Sequence, residues 1–311
     1  MGGWLPSQQA LQCQNGKEVI IYQSNPSVPY QLRPVTTAVD SCHNPALFGG
    51  SCAPGSRLGQ ISRGSIQVKW LCRRDHFTPH YQSNAVPFDK VSIIATNNET
   101  GATCFWQNGS GEIHGSNLPS LDISLATHST KVQDFASQFP VDEGWACLYC
   151  HDNDPFLYSP YLRSTDWVTS DHVKSPFSRV LLSGELKPSG HKMLTHPDAK
   201  ACTRCHRISS GRTCGSFAKE AMGIAKDYGH EPAVLNAIDQ FTHQAGVDLI
   251  SEGEYWKLAY WMPHRIPSAM TWKQWHQRYG KAKKVIQRCC SELASGIDSP
   301  SCGWTPLVES N

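Results

Sequence analysis

The sequence predicts an α+β fold that is rich in loops, with a small antiparallel β domain at the N-terminus followed by an irregular and α-helical region. Three observations predict it. Alternation of apolar and polar residues is concentrated before residue 108, helical periodicity is concentrated in the last third, and prolines interrupt the stretch between them. We therefore expect two domains. One, at 1–110, is β-rich and stabilised by disulfides, and the other, at 111–311, ends in helices.

The strands are predicted in order along the first domain. Residues 1–60 are rich in Pro, Gly, Ser and Asn and contain one β-type run, EVIIYQ at 18–23. The sequence NNETG at 97–101 is typical of a hairpin turn, and three alternating runs lie on either side of it. These runs are SIQVKWLC (65–72), KVSIIAT (90–96) and ATCFWQ (102–107). Together they predict a small antiparallel sheet.

Three helices are predicted in the second domain, at 216–229, 231–243 and 271–295. The last has the strongest signals, because Thr271 and Gln274 form a capping box and Gly296 is suited to end a helix. Its apolar stripe contains Trp272, Trp275, Tyr279, Ala282, Ile286, Cys289 and Leu293. Its other faces carry Lys273, Arg278, Lys281, Lys283, Lys284 and Arg288. We expect these basic residues to form a solvated surface, with a docking site for an acidic redox partner as the alternative.

Composition limits the classes of function. The formal net charge is +2 and charged residues make up 17% of the 311-residue chain, so a nucleic-acid partner is not expected. No apolar stretch is long enough to span a membrane, so no membrane span is expected. The N-terminal residues lack the basic start and apolar run of a secretory signal peptide. We therefore interpret the chain as a mature form.

The cysteine content predicts a periplasmic or extracellular location. The chain has 13 cysteines, of which nine lie outside the two motifs at 147–151 and 202–206. Scattered cysteines in this number are typical of proteins whose loops are cross-linked under oxidising conditions. Because nine is odd, at least one of these stays out of an intramolecular disulfide. Cys72 and Cys104 lie on neighbouring predicted strands and are candidates to pair.

Two short stretches carry the same pattern of two cysteines followed by a histidine. WACLYCHDNDPF at 145–156 contains Cys147, Cys150 and His151, and KACTRCHRIS at 200–209 contains Cys202, Cys205 and His206. The spacing Cys-x-x-Cys-His is the attachment signature of c-type haem, because two thiols three positions apart can form thioethers with one porphyrin. The adjacent histidine is then placed to bind the iron as its proximal ligand.

Two other interpretations of the motifs are less consistent with the sequence. A zinc site made by the four cysteines would join pairs 55 residues apart, far beyond the usual spacing, and would not need the histidines. A thioredoxin-like redox motif normally occurs once, next to a βαβ pattern that this sequence lacks. The motifs therefore predict two covalent haem c groups, which would also serve as the core of the proline-interrupted stretch at 145–210.

On these motif residues the chain resembles dihaem c-type cytochromes. The stretches CHDNDPFLYSPYL, CTRCHRI and YWMPHRIP are also similar to those of a group of secreted bacterial dihaem proteins of the multihaem cytochrome type. The resemblance covers the motif regions and does not extend to residues 1–107. It implies covalent haem attachment and a role in electron transfer.

Each iron has a second axial position, and four residues are candidates to fill it. Met262 and His264 lie in a proline-stiffened loop, WMPHRIP, after both motifs, and His191 and His196 lie shortly before the second motif. Methionine in this position raises the reduction potential and histidine lowers it, whereas an open position permits catalysis.

Charged residues next to the motifs have two expected roles. Asp152 and Asp154 are expected to cap the turn that follows His151. Four arginines near the motifs are candidates to pair with the carboxylates of the porphyrins. These are Arg163, Arg179, Arg204 and Arg207.

The sequence favours electron transfer as the function and leaves two alternatives open. Two attachment sites in one chain suit electron exchange with a redox partner protein, and self-association into a homo-oligomer or filament would extend the path. The first alternative is a dihaem redox enzyme of the peroxidase or thiosulfate-oxidising type, although dihaem peroxidases carry their motifs in two separate domains. The second is a structural protein that binds a surface, with the haems as its core.

Overall fold

The computed structural model describes residues 11–24, 32–42, 44–46, 51–74, 88–108, 115, 118, 147, 151–152, 154–157, 160–162, 164–165, 178–181, 185–188, 191–203, 207–217 and 272–306. The helix predicted at 231–243 lies outside these described residues, as do all but the first two residues of the helix predicted at 216–229.

Eleven β-strands form three sheets in the described residues. They are β1 (Lys17–Glu18), β2 (Tyr22–Ser24), β3 (Leu32–Pro34), β4 (Arg57–Arg63), β5 (Ile66–Arg73), β6 (Lys90–Asn97), β7 (Ala102–Gln107), β8 (Ser178–Val180), β9 (Leu186–Pro188), β10 (Lys192–Leu194) and β11 (Trp304–Pro306). The main sheet has the order β1-β4-β5-β6-β7-β8-β9, while β2 pairs with β3 and β10 pairs with β11. The α+β class predicted from the sequence is confirmed.

The centre of the main sheet matches the three predicted strand runs. β5, β6 and β7 are neighbours and pair antiparallel, with Val68 opposite Ala95. The turn between β6 and β7 contains Gly101, whose φ of 73° is in the left-handed region that glycine adopts without strain. The buried hydroxyl groups of Thr96 and Thr103 lie 2.8 Å apart and form a hydrogen bond between the two strands.

β4 was not predicted from the sequence, and it pairs along its whole length with β5. Its Gly59 is opposite Trp70, and a Cβ on Gly59 would lie 2.0 Å from the indole ring. Glycine weakens the strand signal in the sequence, but it leaves the space that the Trp70 side chain fills. The predicted run at 18–23 is also only partly strand, because just its two ends belong to β1 and β2.

One face of the main sheet packs against the N-terminal segment and forms the first hydrophobic core. Alternate side chains of β5, β6 and β7 point to this face, as the two-residue period of a strand requires. The strand residues in this core are Val68, Trp70, Cys72, Val91, Ile93, Ala95 and Trp106, and they are packed with Leu11, Cys13, Phe88 and Leu118. The disulfide Cys13–Cys72 links the N-terminal segment to β5.

The opposite face of the sheet carries a second core. Leu71 of β5 packs against a cluster that contains Val19, Ile21, Val35, Cys42, Ala46, Cys52, Leu58, Tyr161 and Leu162. The disulfide Cys42–Cys52 lies within this cluster. Lys69 of β5 places its Nζ 4.3 Å from the centre of the Phe156 ring, which is a cation–π distance. The segment that follows the first Cys-x-x-Cys-His motif is therefore held on the sheet.

Two short strands from beyond residue 110 extend the main sheet. β8 pairs parallel with β7 through Ala102 and Ser178, and β9 pairs antiparallel with β8. Parallel neighbours need a long connection, and this one includes the first motif. The domain boundary at residue 110 stays a prediction, since residues 109–114 are outside the described part of the chain.

The C-terminal residues build a third core around two helices. α1 (Lys200–Thr203) carries Cys202, and α2 (Trp272–Ala294) packs against it and against the short helical segments Pro197–Ala199 and Thr213–Phe217. The core contains Leu194, Ala199, Ile208, Cys214, Ile286, Cys289, Cys290 and Cys302. Two disulfides, Cys214–Cys290 and Cys289–Cys302, lie in it.

α2 confirms the long helix predicted at 271–295. It ends in a Schellman motif, in which the N–H of Gly296 bonds to the carbonyl of Leu293 and the N–H of Ile297 bonds to that of Glu292. Gly296 has a φ of 77°, as this motif requires. Of the predicted apolar stripe, Ala282, Ile286 and Cys289 are buried.

Lys283 of α2 differs from its prediction as part of a solvated surface. Its side chain is buried, and burial lowers the pKa of its ammonium group to about 8. The other basic residues of α2 with described side chains, Arg278, Lys281, Lys284 and Arg288, are exposed.

The four disulfides account for eight of the eleven described cysteines. The predicted pairing of Cys72 with Cys104 is wrong, because Cys72 is bonded to Cys13. Cys104 keeps its thiol, and burial raises the pKa of that thiol to about 11. Among the described residues, no helix combines the length and the apolar character needed to cross a membrane.

Removing the Cys214–Cys290 disulfide is expected to destabilise the chain more than removing Cys42–Cys52. The sequence separations are 76 and 10 residues. Loop-closure entropy of the unfolded chain then gives losses of about 4.5 and about 2.7 kcal/mol. Urea unfolding of the paired variants Cys214→Ser/Cys290→Ser and Cys42→Ser/Cys52→Ser measures both losses. A larger loss for the Cys42–Cys52 pair would contradict this expectation.

Candidate functional site

Cys147, the first cysteine of the first motif, is helical and lies on the main sheet. The backbone N–H of His151 donates to the carbonyl of Cys147 over 2.8 Å, which is the spacing of one α-helical turn. Cys147 packs against Phe105 of β7, and the rings of Phe105 and His151 lie 5.4 Å apart between centroids. Phe105 therefore forms an apolar wall under the first cysteine and the histidine of the motif. Cys150 is outside the described residues.

His151 is held in its neutral form. Burial lowers the pKa of its imidazole to about 4, against a smaller upward effect of the backbone at Pro155 and Asp154. Its Nδ1 is buried and makes no hydrogen bond within the described part of the chain. A neutral imidazole is the form that binds a metal ion, so at pH 7 this side chain has a lone pair available for that purpose.

The second motif begins in α1 and belongs to the C-terminal core. Cys202 of α1 packs against that core. The segment before α1 starts at His196, whose Nδ1 accepts a hydrogen bond of 3.0 Å from the backbone N–H of Asp198. Asp198 in turn forms an ion pair of 2.9 Å with Lys281 of α2. Cys205 and His206 are outside the described residues.

The first cysteines of the two motifs stay out of disulfides. Of the eleven described cysteines, the three that keep a thiol are Cys104, Cys147 and Cys202. Cys104 lies within the sheet, whereas Cys147 and Cys202 hold the same position in their two motifs. The thiols that a thioether bond requires are therefore present at both of the described positions.

Asp152, the residue that follows His151, is bonded to the segment that follows the second motif. Its side chain is fully buried. Its Oδ2 accepts a hydrogen bond of 2.9 Å from the backbone N–H of Thr213, and its Oδ1 accepts from the Thr213 hydroxyl. Burial raises the pKa of the carboxyl group, while hydrogen bonds from Ser209 and Thr213 and the nearby His191 lower it. These bonds compensate for the removal of the carboxylate from water.

Asp154 makes a second link between the same two segments. Its Oδ2 accepts a hydrogen bond of 3.2 Å from the backbone N–H of Arg207, the residue that directly follows His206 in the sequence. Its Oδ1 also lies 3.6 Å from Nε of the Arg207 guanidinium. Both side chains are largely buried, with 15% of Asp154 and 14% of Arg207 exposed, so the ion pair is partly shielded from water.

We name the residues Asp152, Asp154, Arg207 and Thr213 the acidic clamp. It joins two motifs whose cysteines are 55 positions apart in the sequence. The capping of the turn after His151 by Asp152 and Asp154 stays a prediction, while both carboxylates bond to residues after the second motif. Arg207 is bonded to Asp154, and its pairing with a porphyrin carboxylate stays a prediction.

The candidate distal ligands are placed differently by the fold. His191 lies beside the clamp, because a Cβ on Gly211 would be 2.9 Å from its Cε1 and 2.5 Å from Oδ2 of Asp152. His196 caps the segment before α1 through its Nδ1. Met262 and His264 are outside the described residues. The assignment of each of the four as an iron ligand stays a prediction.

Within the part of the chain that the structure describes, one group of side chains has ligand atoms close enough together to hold a metal ion. It consists of Cys289, Glu292 and Cys302, whose ligand atoms lie within 4.8 Å of one another. However, the two sulfurs are joined in the disulfide Cys289–Cys302. They are therefore not available as thiolate ligands, and the group is part of the third core.

Sequence reasoning did not single out Phe105, Ser209, Gly211 or Thr213. Phe105 has the appearance of an ordinary strand residue, and the stretch RISSGRT after the second motif has no period that predicts contacts. One signal was present in the composition. The residues after the first motif, DND, are acidic, and those after the second contain Arg207 and Arg212.

Comparison of the chain with protein-family models, with curated protein sequences and with solved structures finds no match.

Replacement of Asp152 is expected to destabilise the fold more than replacement of Asp154. Asp152→Ala leaves the buried Thr213 amide and hydroxyl without their acceptor, and we expect a loss of about 3 kcal/mol. Asp154→Ala removes an ion pair whose side chains are 14–15% exposed and one hydrogen bond, for which we expect a loss of about 1 kcal/mol. Urea unfolding followed by circular dichroism measures both.

The control for these variants is Asp198→Asn. Asp198 pairs with Lys281, of which 73% of the side chain is exposed, so this variant is expected to change stability little. If Asp152→Ala were as mild as Asp198→Asn, the buried part of the acidic clamp would not contribute to stability.

Proposed function

We propose that this chain is a secreted dihaem c-type cytochrome that transfers electrons through two covalently attached haem c groups. The observation that carries the proposal is the joining of two distant Cys-x-x-Cys-His motifs by the acidic clamp. Two motifs whose following segments are bonded to each other suit electron exchange between two centres in one chain.

The residues of the first motif fit the chemistry of a c-type haem. Cys147 is outside any disulfide, and His151, whose backbone N–H bonds to the Cys147 carbonyl, has a neutral imidazole. In the second motif, Cys202 has the corresponding thiol. Cys150, Cys205 and His206 complete the two sets by their positions in the sequence.

When bound, haem supplies an iron centre that gains and loses one electron. The protein's part is to attach, orient and shield it. Phe105 is 2% exposed and keeps water from one side of Cys147 and His151. α2 and its two disulfides hold the core on which Cys202 lies.

The disulfides support a periplasmic or extracellular location. Eight cysteines are cross-linked in the described residues, and disulfides form and persist mainly in oxidising compartments. A c-type haem protein that exchanges electrons with partner proteins outside the cytoplasm would act in these compartments. Electron donor and acceptor would be separate proteins, and association of the chain with further copies of itself stays a prediction.

Loss of the thiols of one motif is expected to remove one haem and leave the other. The variant Cys147→Ala/Cys150→Ala should fall from two haems per chain to one, because thioether formation needs the thiols. The measurement is the absorbance of the alkaline pyridine complex relative to protein concentration. Protein should come from the native host or from a host that matures c-type cytochromes.

Cys104→Ala is the matched control, because Cys104 is the described thiol that belongs to neither motif. It is expected to keep two haems per chain. If wild type contained no haem, or if the motif variant kept both, the proposed function would be wrong.

Absorption spectra separate electron transfer from catalysis. An electron-transfer centre has both axial positions filled by the protein, so its spectrum is expected to stay unchanged on addition of carbon monoxide to the reduced form or peroxide to the oxidised form. A fraction that binds either ligand would instead favour the dihaem redox enzyme.

A further inference from the structure

We propose that the acidic clamp is a positioning device that fixes the two motif turns relative to each other and thereby sets the coupling between the two haems. This inference rests on the proposed function. It goes beyond it by assigning a role to Asp152, Asp154, Arg207 and Thr213, none of which attaches a haem or binds iron.

The two motifs are anchored to different parts of the fold. Cys147 lies on Phe105 of the main sheet, and Cys202 lies on the C-terminal core formed with α2. This packing holds the first motif on the main sheet and the second motif on the C-terminal core, but it does not fix one motif relative to the other. A direct bond between the motif segments is what fixes one motif against the other.

The clamp bonds lie next to the histidines in the sequence. Asp152 directly follows His151, and Arg207 directly follows His206. The bonds of the clamp are made by the Asp152 carboxylate to Thr213 and by the Asp154 carboxylate to the backbone N–H of Arg207. Because peptide geometry keeps consecutive Cα atoms about 3.8 Å apart, a shift at either bond is transmitted to the adjacent histidine.

The clamp is also packed tightly enough to be rigid. Asp152 is fully buried, where charge-assisted hydrogen bonds are stronger than in water. Gly211 lies against it so closely that a Cβ there would be 2.5 Å from Oδ2 of Asp152 and 3.1 Å from Cβ of Asp152. The space for this carboxylate therefore depends on the absence of a side chain at Gly211.

Gly211→Ala tests the role of the clamp without changing its charge. The added methyl group would lie 2.5 Å from Oδ2 of Asp152 and 2.9 Å from Cε1 of His191, so it is expected to displace both side chains. Because His191 is a candidate iron ligand, a second variant perturbs the clamp at Asp154. Gly215→Ala is the matched control, because a Cβ on Gly215 meets no atom within 4 Å. Asp154→Ala removes the second link, and Asp198→Asn is its control outside the clamp.

Three measurements are made on each purified, haem-loaded protein. The pyridine complex gives the number of haems per chain. Electron paramagnetic resonance of the oxidised protein gives the magnetic interaction between the two irons, and a redox titration gives the separation of their two potentials. We expect two haems in all variants, the wild-type interaction in Gly215→Ala and Asp198→Asn, and a changed interaction in Gly211→Ala and Asp154→Ala.

The outcomes distinguish this inference from the proposed function. Two haems with the wild-type interaction in both clamp variants would overturn the role of the clamp and leave the dihaem proposal intact. Fewer than two haems in the wild type would overturn the proposed function itself. If Gly211→Ala did not fold, Asp154→Ala would decide alone, because it removes the acceptor of the Arg207 N–H at an expected cost of only about 1 kcal/mol.

Discussion

The buried carboxylate of Asp152 is the constraint on which the arrangement of the two motifs depends. A carboxylate removed from water is costly unless hydrogen bonds replace its hydration. Thr213 supplies them from its backbone and its hydroxyl, so the segment after the second motif must lie against the residue that follows His151. The next residue, Cys214, carries this constraint into the C-terminal core through its disulfide to Cys290 of α2.

Covalent bonds and close packing take the place of regular secondary structure around the motifs. In the described residues between β7 and α2, the strands have three residues each, and α1 has four. Such short elements are not stable alone. The first motif gains its support from Phe105 on the main sheet, and the second from two disulfides that cross the core beneath Cys202. In the proposed function, two porphyrins would add four further covalent links.

Elements with a clear local pattern were predictable from the sequence, and contacts between distant residues were not. β5, β6 and β7 were predictable because alternation reports burial on one face, and the end of α2 was predictable because Gly296 permits a Schellman motif. β4 was not predicted because Gly59 weakens the strand pattern in the sequence. The benefit of this glycine is seen only when β4 is paired in the sheet, where it leaves room for the Trp70 side chain. The cysteine pairs and the acidic clamp join residues far apart in the sequence, and the local periodicity of apolar residues does not predict such contacts.

Peptide mapping of the native protein by mass spectrometry tests the central claim most directly. After proteolysis, the peptide that contains Cys147 and Cys150 and the peptide that contains Cys202 and Cys205 are each expected to be heavier by the mass of one haem. The peptide that contains Cys104 is expected to show a cysteine without haem. Motif peptides of unmodified mass, in protein purified from its own host, would contradict covalent haem attachment and with it this account of the chain.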